Sequence, residues 1–569
     1  MRTNIPALAA TLVGLLFVAP AASECNATTN PTIELRAGTV IGAVDHDVEY
    51  FRGIPYAQPP TGALRLKPPV PLKSFGPDPV DATGVGPACA QLTAVDPTPL
   101  WVEALALPGV AETLSFGSAL GGLGEDCLTI SVLRPRGTAA DAKLPVLFWI
   151  HGGGFSSGSA QMYNGSVLVP QSVAQGKPMI LVAVNYRLGA FGFLGGKQVF
   201  AEGVANLGLL DQRMGLEWVA DNIAAFGGDP DAVTISGESA GAVSVFDQLA
   251  LFDGDNTYKG RPLFRGAIMN SGSITPTEPV DSVKPQWIFD TVVEAAGCAS
   301  AADSDKVECL RGVDYETLVN ASNSVPGSLG YYSLALSYAP RQDGVALTAS
   351  PEVLAQTGKY AQVPIIIGNQ ENEGTVFALF QANITTEAAL VSYLNTIFFQ
   401  HATPEEVAGL VATYPENPDS PGGVGPSNST YAEFKRLAAI LGDWEFILMS
   451  RLLLDTFPAT VPAWSYQASY ESGTPILGTY HTTDVPQLFV KTDDVSAAIQ
   501  ALYISFVDSL DPNNYAAGTT PSGYLTAWPT WQDGKQLLEL GTESTRLIDG
   551  DARAASFEYI RAHIGSLHL

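Results

Sequence analysis

Basic residues are scarce. Only 29 lysines and arginines face 57 aspartates and glutamates in 569 residues, for a formal net charge of −28 at pH 7. A surface of that sign repels phosphate backbones and anionic membranes, so nucleic acid is excluded as a partner. Charge of either sign is thin, at 15% of residues, and never gathers into blocks. Together with a 46% hydrophobic content, that excludes a disordered chain or a charged interaction tail. No apolar run beyond the N-terminus approaches the ~20 residues a bilayer span requires, so no integral membrane segment is expected. The C-terminal "FEYIRAHIGSLHL" carries no hydrophobic tail of the kind a lipid-anchor signal needs. Cysteines number five, and no two of them sit at C-x-x-C spacing, which argues against a metal site. Histidines number six, few enough to be judged one by one.

The N-terminus reads "MRTNIPALAATLVGLLFVAPAAS". Arg2 supplies a positive start, residues 7–19 an apolar centre, and small residues at 19–23 a cleavage site. That is the layout of a secretory signal, and its apolar part is too short to span a membrane. The expectation is a signal peptide over 1–23 and a secreted, extracellular protein over 24–569. Secretion permits disulfides. Cys89 and Cys127 can close one loop and Cys298 and Cys309 a shorter one, leaving Cys25 near the mature end. Spacing alone leaves the pairing open. Asn26, Asn164, Asn320, Asn383 and Asn428 head N-x-S/T triplets, candidate glycosylation sites on such a protein.

Several short apolar runs have the near-continuous character of strands covered on both faces. They are "PVLFWI" (145–150), "MILVAV" (179–184), "AVTIS" (232–236), "GAIMN" (266–270) and "VPIIIG" (363–368). Helical patterns lie between them, including 209–226, where Leu209, Met214, Leu216, Trp218, Val219 and Ile223 share a face. A further helical stretch covers 432–457. Strands alternating with helices predict an α/β protein built on a central, mostly parallel sheet. No repeat or linker interrupts 24–569, which reads as one domain; the Pro/Gly/Ser-rich patch 415–429 reads as a surface loop.

Ser239 stands in "VTISGESAGAVSVF" (233–246), between strand "AVTIS" and a helical segment. In parallel sheets this is where ligands bind, beyond the carboxyl ends of strands. A serine raised on a tight strand-to-helix turn takes a strained backbone, and side chains at i−2 and i+2 would collide with its surroundings. Gly237 and Gly241 remove them. The pentapeptide by itself is weak evidence: with 56 glycines, chance gives roughly 0.4 G-x-S-x-G matches. A second match, "GFSSG" (154–158), is centred on Ser156. Ser156 follows a glycine run and no helix start follows it, so Ser239 is the candidate nucleophile.

A serine hydroxyl needs a base, and the base an orienting acid, in the chain order Ser, acid, His for a nucleophile on such a turn. His46 and His151 precede Ser239. His563 and His568 lie at a chain end, where fraying is common. His401, in "FFQHATPEEV", enters a helical pattern with no strand before it. His481, in "PILGTYHTTDVPQLF", follows the strand-like "AWSYQASY" (463–470) and is the expected base, delivered by a loop to a sheet edge. The acid should follow a strand between the two, and "VPIIIGNQENEGTVF" (363–377) offers both Glu371 and Glu373. The residues leave that choice open.

These segments resemble the type-B carboxylesterase/lipase family of the α/β-hydrolase fold. "FGGDPDAVTISGESAG" (226–241) is similar to the family's nucleophile signature and "EDCLTISVLRP" (125–135) to its second one. "HGGGF" (151–155), "NYRLGAFGFL" (185–194) and "NLGLLDQRMGLEWV" (206–219) extend the match, which runs from about residue 31 to the C-terminus. "FKRLAAILGD", "LGTYHTTD" and "NITTEA" resemble the secreted fungal lipases of that family.

The resemblance implies an α/β-hydrolase fold with large insertions and a lid-like loop. It implies the triad Ser239, Glu373 and His481, since the family's acid is followed directly by glycine. It also implies an oxyanion hole from the N–H groups of Gly153, Gly154 and Ala240, an electrostatic role for Glu238 beside the histidine, and bridges Cys89–Cys127 and Cys298–Cys309. His151 is expected to shape its loop without moving protons. The reaction expected is hydrolysis of carboxylic esters through an acyl-enzyme, with no metal and no cofactor. The segment "PLWVEALALPGVAETLSF" (99–116) presents Trp101, Leu105 and Leu107 and corresponds to the lid of the resembling lipases. A hydrophobic ester, met at a lipid–water interface, is therefore the expected substrate and long-chain acylglycerols the expected class. A soluble carboxylesterase or sterol esterase is the alternative within the same chemistry. A non-catalytic adhesion or binding module is the alternative outside it, disfavoured because all three triad positions are filled.

Overall fold

The apolar runs lie side by side in one eleven-stranded sheet. A computed structural model describes residues 30–92, 97–114, 121–415, 430–520 and 522–569. The expected signal peptide, Cys25, Asn26, Asn428 and all but the first residue of the 415–429 patch lie outside the described residues. In chain order the strands of the sheet are β1 (Ala43–Asp45), β2 (Val48–Pro55), β3 (Thr129–Pro135), β4 (Leu144–Ile150), β5 (Ile180–Val184), β6 (Gly228–Glu238), β7 (Gly266–Asn270), β8 (Ile365–Gln370), β9 (Ala463–Ala468), β10 (Gln536–Leu540) and β11 (Thr545–Asp549). Their spatial order is β11-β10-β9-β8-β7-β6-β4-β5-β3-β2-β1. From β5 across to β10 every neighbouring pair is parallel. Antiparallel strands finish both ends. The fold is the α/β-hydrolase fold, a large mixed sheet flanked by helices.

Side-chain alternation along each strand divides two cores. Val146, Phe148 and Ile150 of β4 enter one, and Leu147 and Trp149 enter the other. Both faces are thus covered, which is why these strands read as unbroken apolar runs rather than as an alternation. The helices that bear on the site are α1 (Pro99–Leu105), α2 (Val110–Leu114), α3 (Leu207–Asn222), α4 (Ala240–Gly254), α5 (Val283–Ala295), α6 (Phe434–Gly442), α7 (Leu448–Thr456) and α8 (Asp494–Ser509). Leu209, Leu216 and Val219 of α3 pack in the first core with Val245, Phe246 and Leu249 of α4. Ile499, Leu502 and Phe506 of α8 fill the second.

Two expectations are refined by the packing. The helical stretch 432–457 is α6 and α7 joined by a π-helical turn, Asp443–Ile447. The turn widens just after the point where another backbone crosses: a Cβ on Gly374 would lie 1.9 Å from the carbonyl oxygen of Ala438 and 2.7 Å from the nitrogen of Gly442. The chain end, expected to fray, does not. Leu567 and Leu569 are buried, the Leu569 N–H donates to the carbonyl of Pro276, and the Leu569 oxygen accepts from Glu278 N–H and Arg341 Nη1. His568 Nε2 lies 3.0 Å from Glu352, and the His563 ring stacks on Tyr559. These two histidines are engaged elsewhere by packing, not lost to disorder.

Bridges join Cys89 to Cys127 and Cys298 to Cys309. Asn164, Asn320 and Asn383 are exposed. Among the described residues no helix is long and apolar enough to cross a membrane.

Candidate active site

β6 ends at Glu238 and α4 begins at Ala240, which leaves Ser239 on the turn between them with φ 57° and ψ −128°. That is a sparsely populated conformation for a residue with a side chain, and the surroundings hold it. The Ser239 N–H donates to the carbonyl of Asn270 at the end of β7, and the Ser239 carbonyl accepts from the N–H groups of Ala242 and Val243. The flanking glycines are needed for close approach. A Cβ on Gly237 would stand 2.4 Å from the carbonyl carbon of Gly241, and one on Gly241 would stand 2.1 Å from the carbonyl oxygen of Ile150. Ser156 lies instead in the loop after β4, its hydroxyl donating to the Gly154 carbonyl.

His481 is carried by the loop after β9 and Glu373 by the loop after β8. The imidazole Nε2 is 2.8 Å from Ser239 Oγ, and Nδ1 is 2.6 Å from Glu373 Oε2. With Nδ1–H donating to the carboxylate, Nε2 is free to accept the serine proton. The second oxygen of Glu373 accepts from the Gln370 N–H at 2.7 Å. The two loops are tied together, since the Thr479 N–H donates to Asn372 Oδ1 and the Asn372 N–H to the Thr479 carbonyl. Glu371, the open alternative, faces another cavity with Arg451 and Arg553. Gly374 explains why the acid is followed by glycine: the loop crosses α6 too closely for a side chain.

Three buried acids surround the imidazole. Glu238 Oε1 lies 3.3 Å from His481 Nε2, and Asp484 is close enough to act on both His481 and Glu373. Burial disfavours the imidazolium, but Glu238, Glu373 and Asp484 together outweigh it and raise His481 above its ordinary value of 6.5. Burial likewise pushes Glu238 upward against the opposing pull of His481, with Asp484 and Glu373 adding to the rise. Rings of Phe446 and Phe377 lie 4.7 and 5.1 Å from the imidazole and shield it from water. His151 behaves differently. Burial lowers it to about 4, its Nδ1 donates to the Gly152 carbonyl, and its ring stacks on Tyr186, so it braces the loop as a neutral ring.

That loop, residues 151–155, runs beside the nucleophile turn. A Cβ on Gly152 would meet the Glu238 carbonyl oxygen at 2.6 Å, and Gly153 and Gly154 have φ of 109° and 58°. Gly153, Gly154 and Ala240 line the same cavity as Ser239. Among the described residues nothing accepts a hydrogen bond from their N–H groups. An anion beside Ser239 would find those donors ready.

The cavity encloses about 1000 Å³ including its open mouth. Apart from the polar groups around Ser239, Leu329, Leu334, Leu336, Val376, Phe377 and Phe446 make its wall largely apolar. Trp101 of α1 and Thr113 and Leu114 of α2 also line it. The segment is seated there by the Trp101–Phe380 ring contact at 5.4 Å and by the Thr98 hydroxyl donating to the Leu379 carbonyl. Among the described residues no cluster of three or more His, Cys, Asp or Glu is arranged to hold a metal ion. Sequence reasoning missed Asp484, Glu445 and Phe446. Only the spacing of Asp484, three residues past His481, carried any local signal for them.

The family model described as the carboxylesterase family matches residues 29–558. "Secreted lipase 1" of Botryotinia fuckeliana is 52% identical over 554 residues, covering 96% of this chain and 95% of that protein. "Secreted triacylglycerol lipase LIP1" of Gibberella zeae is 50% identical over 552 residues, covering 94% and 91%. Among solved structures, Aspergillus niger EstA superposes with a TM-score of 0.79 at 27% identity, covering 95% of this chain and 99% of that one.

Proposed function

The chain belongs to the carboxylesterase family, a family of carboxylic-ester hydrolases, and from that premise we propose that it is a secreted lipase acting on long-chain acylglycerols through Ser239, His481 and Glu373. The observation that carries the reading is the continuous line from Ser239 Oγ through the imidazole to Glu373, at 2.8 and 2.6 Å. His481 takes the Ser239 proton as the hydroxyl attacks the ester carbonyl. Glu373 orients the ring and stabilises its cation. The N–H groups of Gly153, Gly154 and Ala240 receive the oxyanion. The alcohol leaves with a proton from His481, and water, deprotonated by the same ring, releases the acid.

The apolar cavity wall, to which α1 and α2 contribute, favours a hydrophobic chain. Residues 99–114, the part of the expected 99–116 lid that lies within the described residues, act as a lid that uncovers the cavity at a lipid surface. Hydrolysis of an emulsified long-chain triglyceride is expected to exceed that of a dissolved short-chain ester, with rate rising sharply where the glyceride passes its solubility. Smooth saturation through that point, with short esters preferred, would make the protein a soluble carboxylesterase. The Cys89–Cys127 bridge spans 38 residues around the lid. Opening it by Cys89→Ser and Cys127→Ser together is expected to lower the thermal midpoint, by about 2–4 kcal/mol of stability, and to flatten the rise at the interface.

The acids around His481 set a pH dependence. Only the neutral ring accepts a proton, so kcat/KM falls as pH drops through the His481 titration. With His481 raised, that limb lies on the alkaline side of 6.5. Glu238→Gln removes the carboxylate that raises His481 most strongly and is expected to move the limb to lower pH by about one unit. A limb that stays in place or moves upward in pH–rate profiles would deny Glu238 its electrostatic role.

A further inference from the structure

Glu445 lines the substrate cavity, and the proposed chemistry has no use for its buried carboxyl. His481 already has Glu373 on one nitrogen and Ser239 and Glu238 near the other. Glu445 sits in the π-helical turn Asp443–Ile447, and with Phe446 it lines the cavity as one of two consecutive residues. Such widened turns occur frequently at functional sites. Its Oε1 accepts from the buried Thr275 hydroxyl at 2.9 Å. Its Oε2 is buried with no partner among the described residues. Lys284, itself buried with no hydrogen-bond partner for Nζ, attracts the carboxylate electrostatically.

A buried polar atom without a partner is costly, and an alkyl chain lying against it leaves it unsatisfied. A hydroxyl on that chain would satisfy it. Resting on the lipase reading, we propose that Glu445, held by Thr275, is a specificity-determining residue that selects ester chains bearing a hydroxyl group over unsubstituted chains of equal length. Burial pushes the Glu445 carboxyl up to about 8, against the opposing influences of Thr275, His481 and Lys284. A hydroxyl both donates and accepts, so it pairs with the carboxyl in either state. An ammonium group pairs only with the ionised form. Sites built to hydrogen-bond a substrate hydroxyl discriminate strongly against the analogue without it.

The test uses long-chain acyl methyl esters carrying one hydroxyl at successive carbons, each measured against the unsubstituted ester. The wild-type protein is expected to show higher kcat/KM for the hydroxylated ester at one or two adjacent positions. Glu445→Met is expected to lower that ratio on the order of ten- to a hundredfold. Its kcat/KM on the unsubstituted ester should fall by a much smaller factor than on the hydroxylated one, and its pH–rate limb should move slightly to lower pH, because His481 and the Glu445 carboxylate attract each other. Thr275→Val should lower the ratio by a smaller factor. Two outcomes overturn the inference: no hydroxyl position preferred by the wild type, or a ratio unchanged in Glu445→Met, including an equal loss on both esters, which would mean that Glu445 acts through His481. A wild type with no preferred hydroxyl position overturns the inference even where Glu445→Met fails to fold, and a hydroxyl preference unchanged in the conservative Glu445→Gln would then overturn it as well. Failure to hydrolyse the unsubstituted ester as well would refute the lipase reading itself, so the two failures are distinguishable.

Discussion

Ser239→Ala is expected to lower kcat on the order of a millionfold while leaving the thermal midpoint nearly unchanged. The hydroxyl is the only atom removed, and the turn around it is held by backbone: the Ser239 N–H on Asn270 and the Ser239 carbonyl beneath Ala242 and Val243. Alanine keeps a Cβ and so inherits the same strain at φ 57°. The residual rate comes from the oxyanion donors and from binding alone. Single-turnover hydrolysis, thermal unfolding and labelling by an organophosphate probe read the three consequences separately. A variant that kept a tenth of wild-type kcat would mean that another side chain attacks the ester.

Gly241→Ala is expected to have the largest effect on the fold from the smallest change in mass. The added methyl would lie 2.1 Å from the carbonyl oxygen of Ile150, with the carbonyl carbons of Ile150 and His151 at 2.9 and 3.0 Å. All three are backbone atoms where β4 passes into the glycine loop, so no rotamer change relieves the clash. α4 and that loop must move apart. That separates Ser239 from the N–H groups of Gly153 and Gly154 and disturbs the central ladder. Destabilisation above about 4 kcal/mol is expected, in the range reserved for overpacking and backbone strain. Expression yield, thermal unfolding and specific activity of whatever soluble fraction forms are the measurements. A well-folded, active Gly241→Ala protein would show that the turn has slack that these distances deny.

Local pattern carried much of this architecture. β4 to β8 lie within two residues of the apolar runs, except that β6 begins four residues earlier, because strands covered on both faces need no polar alternation. The turn at Ser239 was readable because it has a strand before it, a helix after it and glycines at fixed offsets. Elimination reached His481 because histidines are few. The choice between Glu371 and Glu373 was different in kind. It depends on Gly374 crossing α6 at Ala438, a contact between segments more than sixty residues apart, and only resemblance could supply it. Asp484, Glu445 and Phe446 were illegible for the same reason, since their nearness to His481 is made by packing. The outer strands β1, β2, β3, β10 and β11 carried weaker patterns and went unread. The rule that chain ends fray failed here because Leu567 and Leu569 are apolar and anchored.

The three residues of the proposed triad hang from the ends of β6, β8 and β9, so their meeting reports on how the ladder between them was assembled. Met269 pairs with Gly237 on one side and Ile367 on the other, and Gly368 pairs with Tyr466. Slippage of any one ladder by a single rung would displace a loop by about 3.3 Å, more than a hydrogen bond tolerates. A misregistered chain would therefore be compact and silent. Enzymatic turnover in a refolded sample counts only those molecules whose strands have found their correct partners, which makes the assay a stricter gauge of native topology than any measure of secondary-structure content.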